Sequence, residues 1–347
     1  MVKQSSIIQA FVKLGLFLQT YCSLQNSEEN SEFDGLEEVI NKTKRHNGWF
    51  TKEQIVFALK AWSQVLTEEK LTDWLANYSL QNNDSKNVAI IMAGNIPMVG
   101  FHDFLCVLVT NNNAICKLSS NDSILLPFIA DLLVSYEPEL KNQIIFVKEK
   151  LEEYDAVIAT GSNNTSRYFE YYFGKKPNLI RKNRTSVAVL SGNESESQLQ
   201  QLGSDIFTYY GLGCRNVSKL FVPTDYNFDS FFQALFSYKK SIDHHKYANN
   251  YDYNKAVYLM SEFKLLDNGF MILKEDKTLH SPISVVFYEY YKNLRQLKTL
   301  LGTQQESLQC IVANSGIEKE VAFGQTQSPQ LNDYADGIDT VDFLLKL

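Results

Sequence analysis

From Val88 onward, short apolar runs of strand length alternate with segments of helix length. Strands are expected at 88–92, 114–118, 144–148 and 156–159, with helices at 122–136 and 165–173 interleaved. Runs this short and this continuously apolar suit strands buried on both faces, and strands alternating with helices imply βαβ units on a parallel sheet. Ligands of such sheets sit at the carboxyl ends of the strands. A second series follows: a strand at 186–190, a helix at 196–210, strands at 219–222, around 256–260 and 283–288, and at 309–313, with a helix near 228–238. No internal repeat accompanies either series, which excludes a solenoid. The fold class is α/β, with two domains.

Residues 1–80 differ, showing helical periodicity and little β-branched clustering. Thr51 and Gln54 are placed as a capping box ahead of the apolar face of Ile55, Val56, Leu59 and Trp62. The apolar stretch 7–18 is interrupted by Gln9 and Lys13 and has no small-residue cleavage site behind it, so it reads as an amphipathic helix, not a signal segment. No uninterrupted apolar run approaches the ~20 residues that span a bilayer, and stable membrane insertion is not expected. A polar break at 81–87 ends this segment. The expected division is 1–80, a helical segment; 81–210, a first α/β domain; 211–320, a second α/β domain; and 321–347, a C-terminal segment.

At 347 residues and 44% hydrophobic content, the chain can fill two cores. A net charge of -7 without a basic stripe excludes nucleic acid as a partner. Cys22, Cys106, Cys116, Cys214 and Cys310 are odd in number and include no C-x-x-C pair, which argues against a disulfide framework and against zinc. A reducing compartment, the cytoplasm, follows.

Four segments carry groups suited to chemistry. In Gly211-Leu212-Gly213-Cys214-Arg215-Asn216 the glycines let the backbone pass close to a ligand, and Arg215 can favour a thiolate; the alternative is a small buried cysteine at a turn. In Gly94-Asn95-Ile96-Pro97, Asn95 can offer its amide to an oxyanion, or it merely caps a helix starting at Pro97. Lys117 ends a strand, either meeting a cofactor phosphate or ribose or simply solvated. Thr160-Gly161-Ser162 closes a strand and opens a helix, where backbone N–H groups can hold a phosphate, although no G-x-G-x-x-G accompanies it. His244 and His245, in a stretch rich in tyrosine and asparagine, are candidates for a substrate head group or for surface packing. Adjacent histidines are expected to diverge, so no metal is assigned to them. The tail 324–339, with Gln325, Gln327 and Tyr334, either folds back over a site or closes the chain.

Taken together, these segments resemble the aldehyde dehydrogenase superfamily, and within it the acyl-CoA reductase branch typified by the fatty acid reductase component of bacterial luminescence. The resemblance runs from about Val88 to the C-terminus. It is carried by Gly94-Asn95-Ile96-Pro97, Lys117-Leu118-Ser119-Ser120, Thr160-Gly161-Ser162 and Gly213-Cys214-Arg215-Asn216-Val217-Ser218-Lys219, in the family's order and at about its spacing. It implies that Cys214 is the nucleophile, that Asn95 is the side-chain half of an oxyanion hole, that Lys117 contacts the adenosine ribose or its phosphate, and that Gly161 and Ser162 neighbour the pyrophosphate. It further implies an aldehyde-dehydrogenase-like fold, in which 1–80 brace a Rossmann-like nicotinamide-cofactor domain at 81–210, 211–320 form the catalytic domain and 321–347 return towards the cofactor domain, with NADPH as cofactor, a fatty acyl thioester of coenzyme A or an acyl carrier as substrate, an acyl-transferase or synthetase partner, and a homodimer.

Two departures bear on the reaction. Where hydrolytic aldehyde dehydrogenases carry a glutamate that activates water, an ungapped comparison places Ile180, and the missing general base is worth roughly two to four orders of magnitude in water attack. Where a glutamate usually binds the nicotinamide ribose, the stretch reads Thr278-Leu279-His280-Ser281-Pro282. The expected reaction is therefore acyl transfer from a thioester to Cys214 followed by hydride reduction to the aldehyde, the oxyanions held by Asn95 and the Cys214 backbone N–H. The rival expectations are an oxidising dehydrogenase or acyl phosphate reductase of the same superfamily, and a degenerate subunit that accepts acyl groups or scaffolds its partners.

Overall fold

The computed structural model describes residues 3–24, 31–80 and 84–347, so residues 81–83, at the start of the expected polar break, lie outside the described residues. The chain divides into two units, Met1–Asn183 with Gln330–Leu347, and Arg184–Pro329.

The first unit begins with α1 (Gln4–Leu24), α2 (Asp34–His46), α3 (Lys52–Val65) and α4 (Glu68–Leu75). Thr51 caps α3 as its sequence suggests, its hydroxyl accepting the Gln54 N–H. Then come β1 (Asn87–Ile91), α5 (Phe101–Val109), β2 (Asn113–Lys117), α6 (Leu125–Tyr136), β3 (Ile144–Phe146), β4 (Ala156–Thr160), α7 (Asn163–Phe173) and β5 (Asn178–Arg181). The sheet order is β3-β2-β1-β4-β5 and every pairing is parallel. One face of this sheet shares its core with the N-terminal helices: Ile7, Phe11, Leu14 and Leu18 pack in one cluster with Val88, Ile90, Phe101, Phe104 and Ile158. Each such side chain contributes about 1.5–3 kcal/mol by leaving water. Helix α1 is long and apolar enough to cross a bilayer, yet its apolar face lies in this core. At Gly15 an added Cβ would stand 2.2 Å from the Leu66 carbonyl oxygen, so the packing there admits only glycine. The other sheet face carries small residues, Ala89, Val157 and Ala159, against Phe169 and Phe173 of α7.

The second unit holds β6 (Thr185–Val189), α8 (Glu196–Phe207), β7 (Val217–Pro223), α9 (Phe228–Ala234), α10 (His245–Met260), β8 (Leu265–Asp267), β9 (Ile272–Glu275), β10 (Val285–Tyr291), α11 (Leu294–Thr303) and β11 (Leu308–Val312). Its order is β11-β6-β7-β10-β9-β8, parallel except for the β8–β9 pair. Leu297 and Leu301 of α11 cover Val187, Val189 and Phe221, and Tyr251 of α10 packs on Ile272, Val285 and Phe287. The chain then returns to the first unit with α12 (Thr340–Leu345), whose Val341 and Leu344 enter that core.

The α/β class and most of the alternation hold. Four expectations are corrected. The domain boundary expected at 210/211 lies at 183/184, because β6 pairs with β7 and β11 and so belongs to the second sheet. The return expected at 321 comes at 330, because the buried Asp205 carboxylate accepts the N–H groups of Gly324 (2.7 Å) and Thr326 (3.0 Å) and keeps that loop in the second unit. The strand expected around 256–260 is the last turn of α10, which runs unbroken to Met260 with Val257, Leu259 and Met260 exposed. No helix starts at Pro97; the chain turns through Met98 (φ 61°) and α5 begins after Gly100.

Candidate active site

In the second unit, α8 ends at Phe207 and the backbone enters three consecutive left-handed residues, Tyr209 (φ 54°), Tyr210 (φ 56°) and Gly211 (φ 79°). For the two tyrosines this conformation costs about 1–2 kcal/mol each, and a non-glycine run of this kind marks a backbone held by its surroundings. The holding residue is Asn216, only 3% exposed. Its Nδ2 donates to the carbonyls of Asp205 (3.1 Å), Ile206 (3.3 Å) and Thr208 (2.8 Å), oxygens that a helix end leaves without intrahelical partners. Its Oδ1 accepts the Gly213 N–H at 2.8 Å, and its own backbone N–H donates to the Gly213 carbonyl at 3.0 Å.

Cys214 sits exposed on the resulting turn, whereas Cys106, Cys116 and Cys310 are buried and Cys22 is half-buried. The reading of Cys214 as a small buried residue is thereby overturned. Ser186 of β6, fully buried, donates its hydroxyl to the Cys214 carbonyl (2.9 Å) and accepts the Cys310 N–H (3.1 Å). Arg215 directs Nη1 to the Cys310 sulfur at 3.5 Å. Lys219, the last residue of this motif, is fully buried on β7, paired with Glu289 at 2.6 Å and lying over the Phe221 ring. A cavity of about 30 Å³ behind the turn is lined by Phe207, Tyr210, Gly211, Ser218, Tyr247 and Pro282. It holds about one water, not an acyl chain.

His244 caps α10, its Nδ1 accepting the Tyr247 N–H at 3.4 Å, and its ring lies 4.4 Å from that of Tyr210. His245 stacks on it at 5.2 Å. The two rings do not diverge as expected, because His244 has the extended backbone of a cap (φ -81°, ψ 113°) while His245 is already helical.

In the first unit, the carboxyl ends of β1, β2 and β4 lie side by side, with Ile91 level with Lys117 and Ala159. Asn95 follows β1 on an exposed turn. With Gly100 at the cap of α5, the reading of Asn95 as a helix cap falls. Gly94 is pressed against Ser119, where an added Cβ would stand 2.5 Å from its hydroxyl oxygen. Asp122, 8% exposed, accepts the Met98 N–H at 3.2 Å and so clamps the same turn. Lys117 extends from the end of β2 to the Glu149 carbonyl (2.9 Å). Thr160 ends β4, and Ser162 caps α7 by accepting the Thr165 N–H at 3.2 Å. At Gly161 an added Cβ would meet Phe169 at 2.9 Å, so the glycine serves the close packing of α7 on the sheet. Ile180 is a partly buried member of β5. Of the tail residues, Tyr334 bonds Trp74 (2.8 Å) and Tyr78 (2.7 Å) within the first unit.

Asn216 stands inside the cysteine motif without its role being legible there, and nothing in the sequence marks Ser186. The signal for Asn216 was its type: a buried turn needing both donors and acceptors suits an amide. Ser186, inside an apolar strand run, gave no signal.

A sequence model of the family described as acyl-CoA reductase (LuxC) matches residues 17–271. No curated protein matches. Among solved structures, aldehyde dehydrogenase 21 from Physcomitrella patens, in complex with succinate, superposes with a TM-score of 0.68 at 10% identity, covering 99% of this chain and 84% of that one. The P. syringae indole-3-acetaldehyde dehydrogenase AldA, in complex with NAD+, gives 0.65 at 12% identity over 92% of this chain and 74% of that one. An NAD-dependent aldehyde dehydrogenase from Sinorhizobium meliloti gives 0.65 at 12% identity over 94% and 72%. At these identities the likeness is one of fold: aldehyde-dehydrogenase-like.

Proposed function

The chain belongs to the acyl-CoA reductase (LuxC) family, whose members form aldehydes from activated acyl groups, and from that premise we propose that it reduces a long-chain acyl thioester with NADPH through a thioester on Cys214. The observation that carries this reading is the exposure of Cys214, alone of the five cysteines, on a turn whose flanking peptides are both fixed by hydrogen bonds.

In this reading the Cys214 sulfur attacks the thioester carbonyl, the carrier leaves as its thiolate, and Cys214 holds the acyl group. The Cys214 backbone N–H holds the charge on the acyl oxygen in each tetrahedral state. When bound, a reduced nicotinamide cofactor supplies the hydride. The Cys214 sulfur is the leaving group when the aldehyde departs. Ile180 offers no base for activating water at the position where hydrolytic relatives use one, which favours reduction over release of the acid.

The donor set at the carboxyl edge of the first sheet fits a phosphate-bearing cofactor: the Lys117 ammonium, the Thr160 and Ser162 hydroxyls, and the amino end of the eleven-residue helix α7. Lys117 would hold the adenosine ribose or its phosphate, and Gly161 with Ser162 the pyrophosphate. Arg215, His244 and His245 are the residues assigned to the substrate's head group, His244 through its place beside Tyr210. Coenzyme A or an acyl carrier protein brings the acyl group, supplied by a synthetase or transferase partner, and the enzyme acts as a homodimer in the cytoplasm, where free thiols persist.

The test is intact-mass spectrometry of the wild type and Cys214→Ser after incubation with a long-chain acyl-CoA, followed by NADPH. An acyl adduct that requires Cys214 and disappears as aldehyde forms supports the reading. An adduct that persists points to an acyl-holding subunit, and the absence of any adduct removes Cys214 as nucleophile for this substrate class.

A further inference from the structure

Gly213 and Cys214 share one peptide plane, with the Gly213 carbonyl oxygen on one side and the Cys214 N–H on the other. Because that plane is rigid, whatever fixes the oxygen also sets the direction of the N–H. The oxygen is held by the Asn216 backbone N–H at 3.0 Å. The same residue's Oδ1 holds the Gly213 N–H at 2.8 Å, so Gly213 is bonded from both of its polar ends by Asn216. The Asn216 side chain is in turn fastened by its three bonds to the carbonyls of Asp205, Ile206 and Thr208, and it is buried. The donor thus takes its direction from the end of α8, a rigid element, across a left-handed run that free chains avoid.

We propose that Asn216 is a positioning residue that aims the Cys214 backbone N–H at the acyl oxygen, a proposal that rests on Cys214 being the nucleophile. Capping the end of α8 needs only the Nδ2 donor. The main-chain bond from residue 216 to the Gly213 carbonyl is a turn that any residue but proline can make; what the amide adds is the Oδ1 bond to the Gly213 N–H and the anchoring that sets where that main-chain donor stands. Ser186 fixes the next peptide, that of the Cys214 carbonyl, whose N–H belongs to Arg215 and not to the proposed oxyanion hole.

The distinction can be read from two rates measured on the full chain. Acylation by acyl-CoA passes through an oxyanion; alkylation of the same sulfur by iodoacetamide does not. In Asn216→Asp and in the milder Asn216→Ser, acylation of Cys214 falls about 100-fold, as for loss of one oxyanion donor, while alkylation stays within about threefold of wild type. Ser186→Ala, which loosens only the neighbouring peptide, loses less than about tenfold in acylation. Unchanged acylation in the Asn216 variants overturns the proposal. So does a parallel fall of both rates, which would make Asn216 a support for the loop alone, or an equal loss in Ser186→Ala. A wild type that is alkylated at Cys214 but never acylated overturns the nucleophile reading and this inference with it.

Discussion

Arg181 and Asp103 form an ion pair in which both side chains are 5% exposed, and the same guanidinium donates to the Thr340 hydroxyl at 2.8 Å. Three elements of the first unit, β5, α5 and α12, are joined by this one cation. Asp103 Oδ1 and Arg181 Nε are buried without partners, so the pair is incompletely satisfied. Removing one member leaves an uncompensated buried charge: Asp103→Ala should lower stability by about 3–5 kcal/mol. Replacing both, as in Asp103→Leu with Arg181→Met, should recover most of that loss. Urea unfolding of the full-length variants checks this, and a double variant no more stable than the single one would show that the pair is worth more than its hydrophobic replacement.

Asp122 is the second buried carboxyl of that unit. Burial pushes it up to about 6 from 3.8, against the opposing influences of the Met98 N–H and His46. A carboxyl with a raised folded-state pKa binds its proton more tightly when folded. Its contribution to stability is therefore full below pH 4 and is lost as pH rises through 6, a swing of about 3 kcal/mol. Asp122→Asn keeps an acceptor for Met98 and carries no charge. It should match wild type near pH 4 and exceed it by up to about 3 kcal/mol at pH 7.5, measured as unfolding free energy at the two values; a difference that does not vary with pH would exclude this account.

The strands of the first sheet were legible because a strand buried on both faces is a continuous apolar run, as in Val88, Ala89 and Ile90. β5 was not, because its Arg181 is charged and yet buried by a partner far away in sequence. The end of α10 misled because Val257, Leu259 and Met260 are apolar but exposed, so they mimic a core strand by composition alone. The motif around Cys214 could be picked out by its glycines, but the shape of its turn could not. That shape depends on two tyrosines in a conformation their residue type disfavours, and on bonds from Asn216 that only the folded chain assembles. Which sheet receives β6 is a matter of pairing, and the sequence of the strand contains no trace of it.

Gly211 closes the left-handed run at φ 79°, and an added Cβ there would meet nothing nearer than the Ile206 carbonyl oxygen at 3.6 Å. Space is available, so the cost of a side chain is conformational. Gly211→Ala should lower stability by about 1–2 kcal/mol, and slow thioester acylation of Cys214 by more than it slows alkylation. A stability equal to wild type would mean that the turn relaxes without loss.

Lys117 extends from the end of β2 towards the Glu149 carbonyl. If it holds the ribose phosphate of NADPH, Lys117→Ala should raise the Kd for NADPH roughly tenfold, about 1.4 kcal/mol, and affect NADH less. Acylation of Cys214 in the absence of cofactor should be unchanged. Fluorescence titration with both nucleotides checks the selectivity, and an equal loss for the two would remove Lys117 from the phosphate.

Reaction of a thiol with an alkylating agent requires both access and thiolate. Burial raises the thiol of Cys22, more than Lys60 nearby can offset, and raises those of Cys106 and Cys116 further, the Asp103 charge adding to the effect at Cys106. Cys310 is 4% exposed. Cys214 alone is exposed, Cys22 being half-buried. Brief treatment of the native protein with iodoacetamide should therefore give a single adduct, located at Cys214 by peptide mapping, and all five cysteines should react once the chain is unfolded. If the sulfur that accepts the acyl group is the sulfur that releases the aldehyde, prior acylation with acyl-CoA should block that single adduct, and addition of NADPH should restore it. Alkylation that proceeds at the wild-type rate on a fully acylated protein would place the acyl group elsewhere.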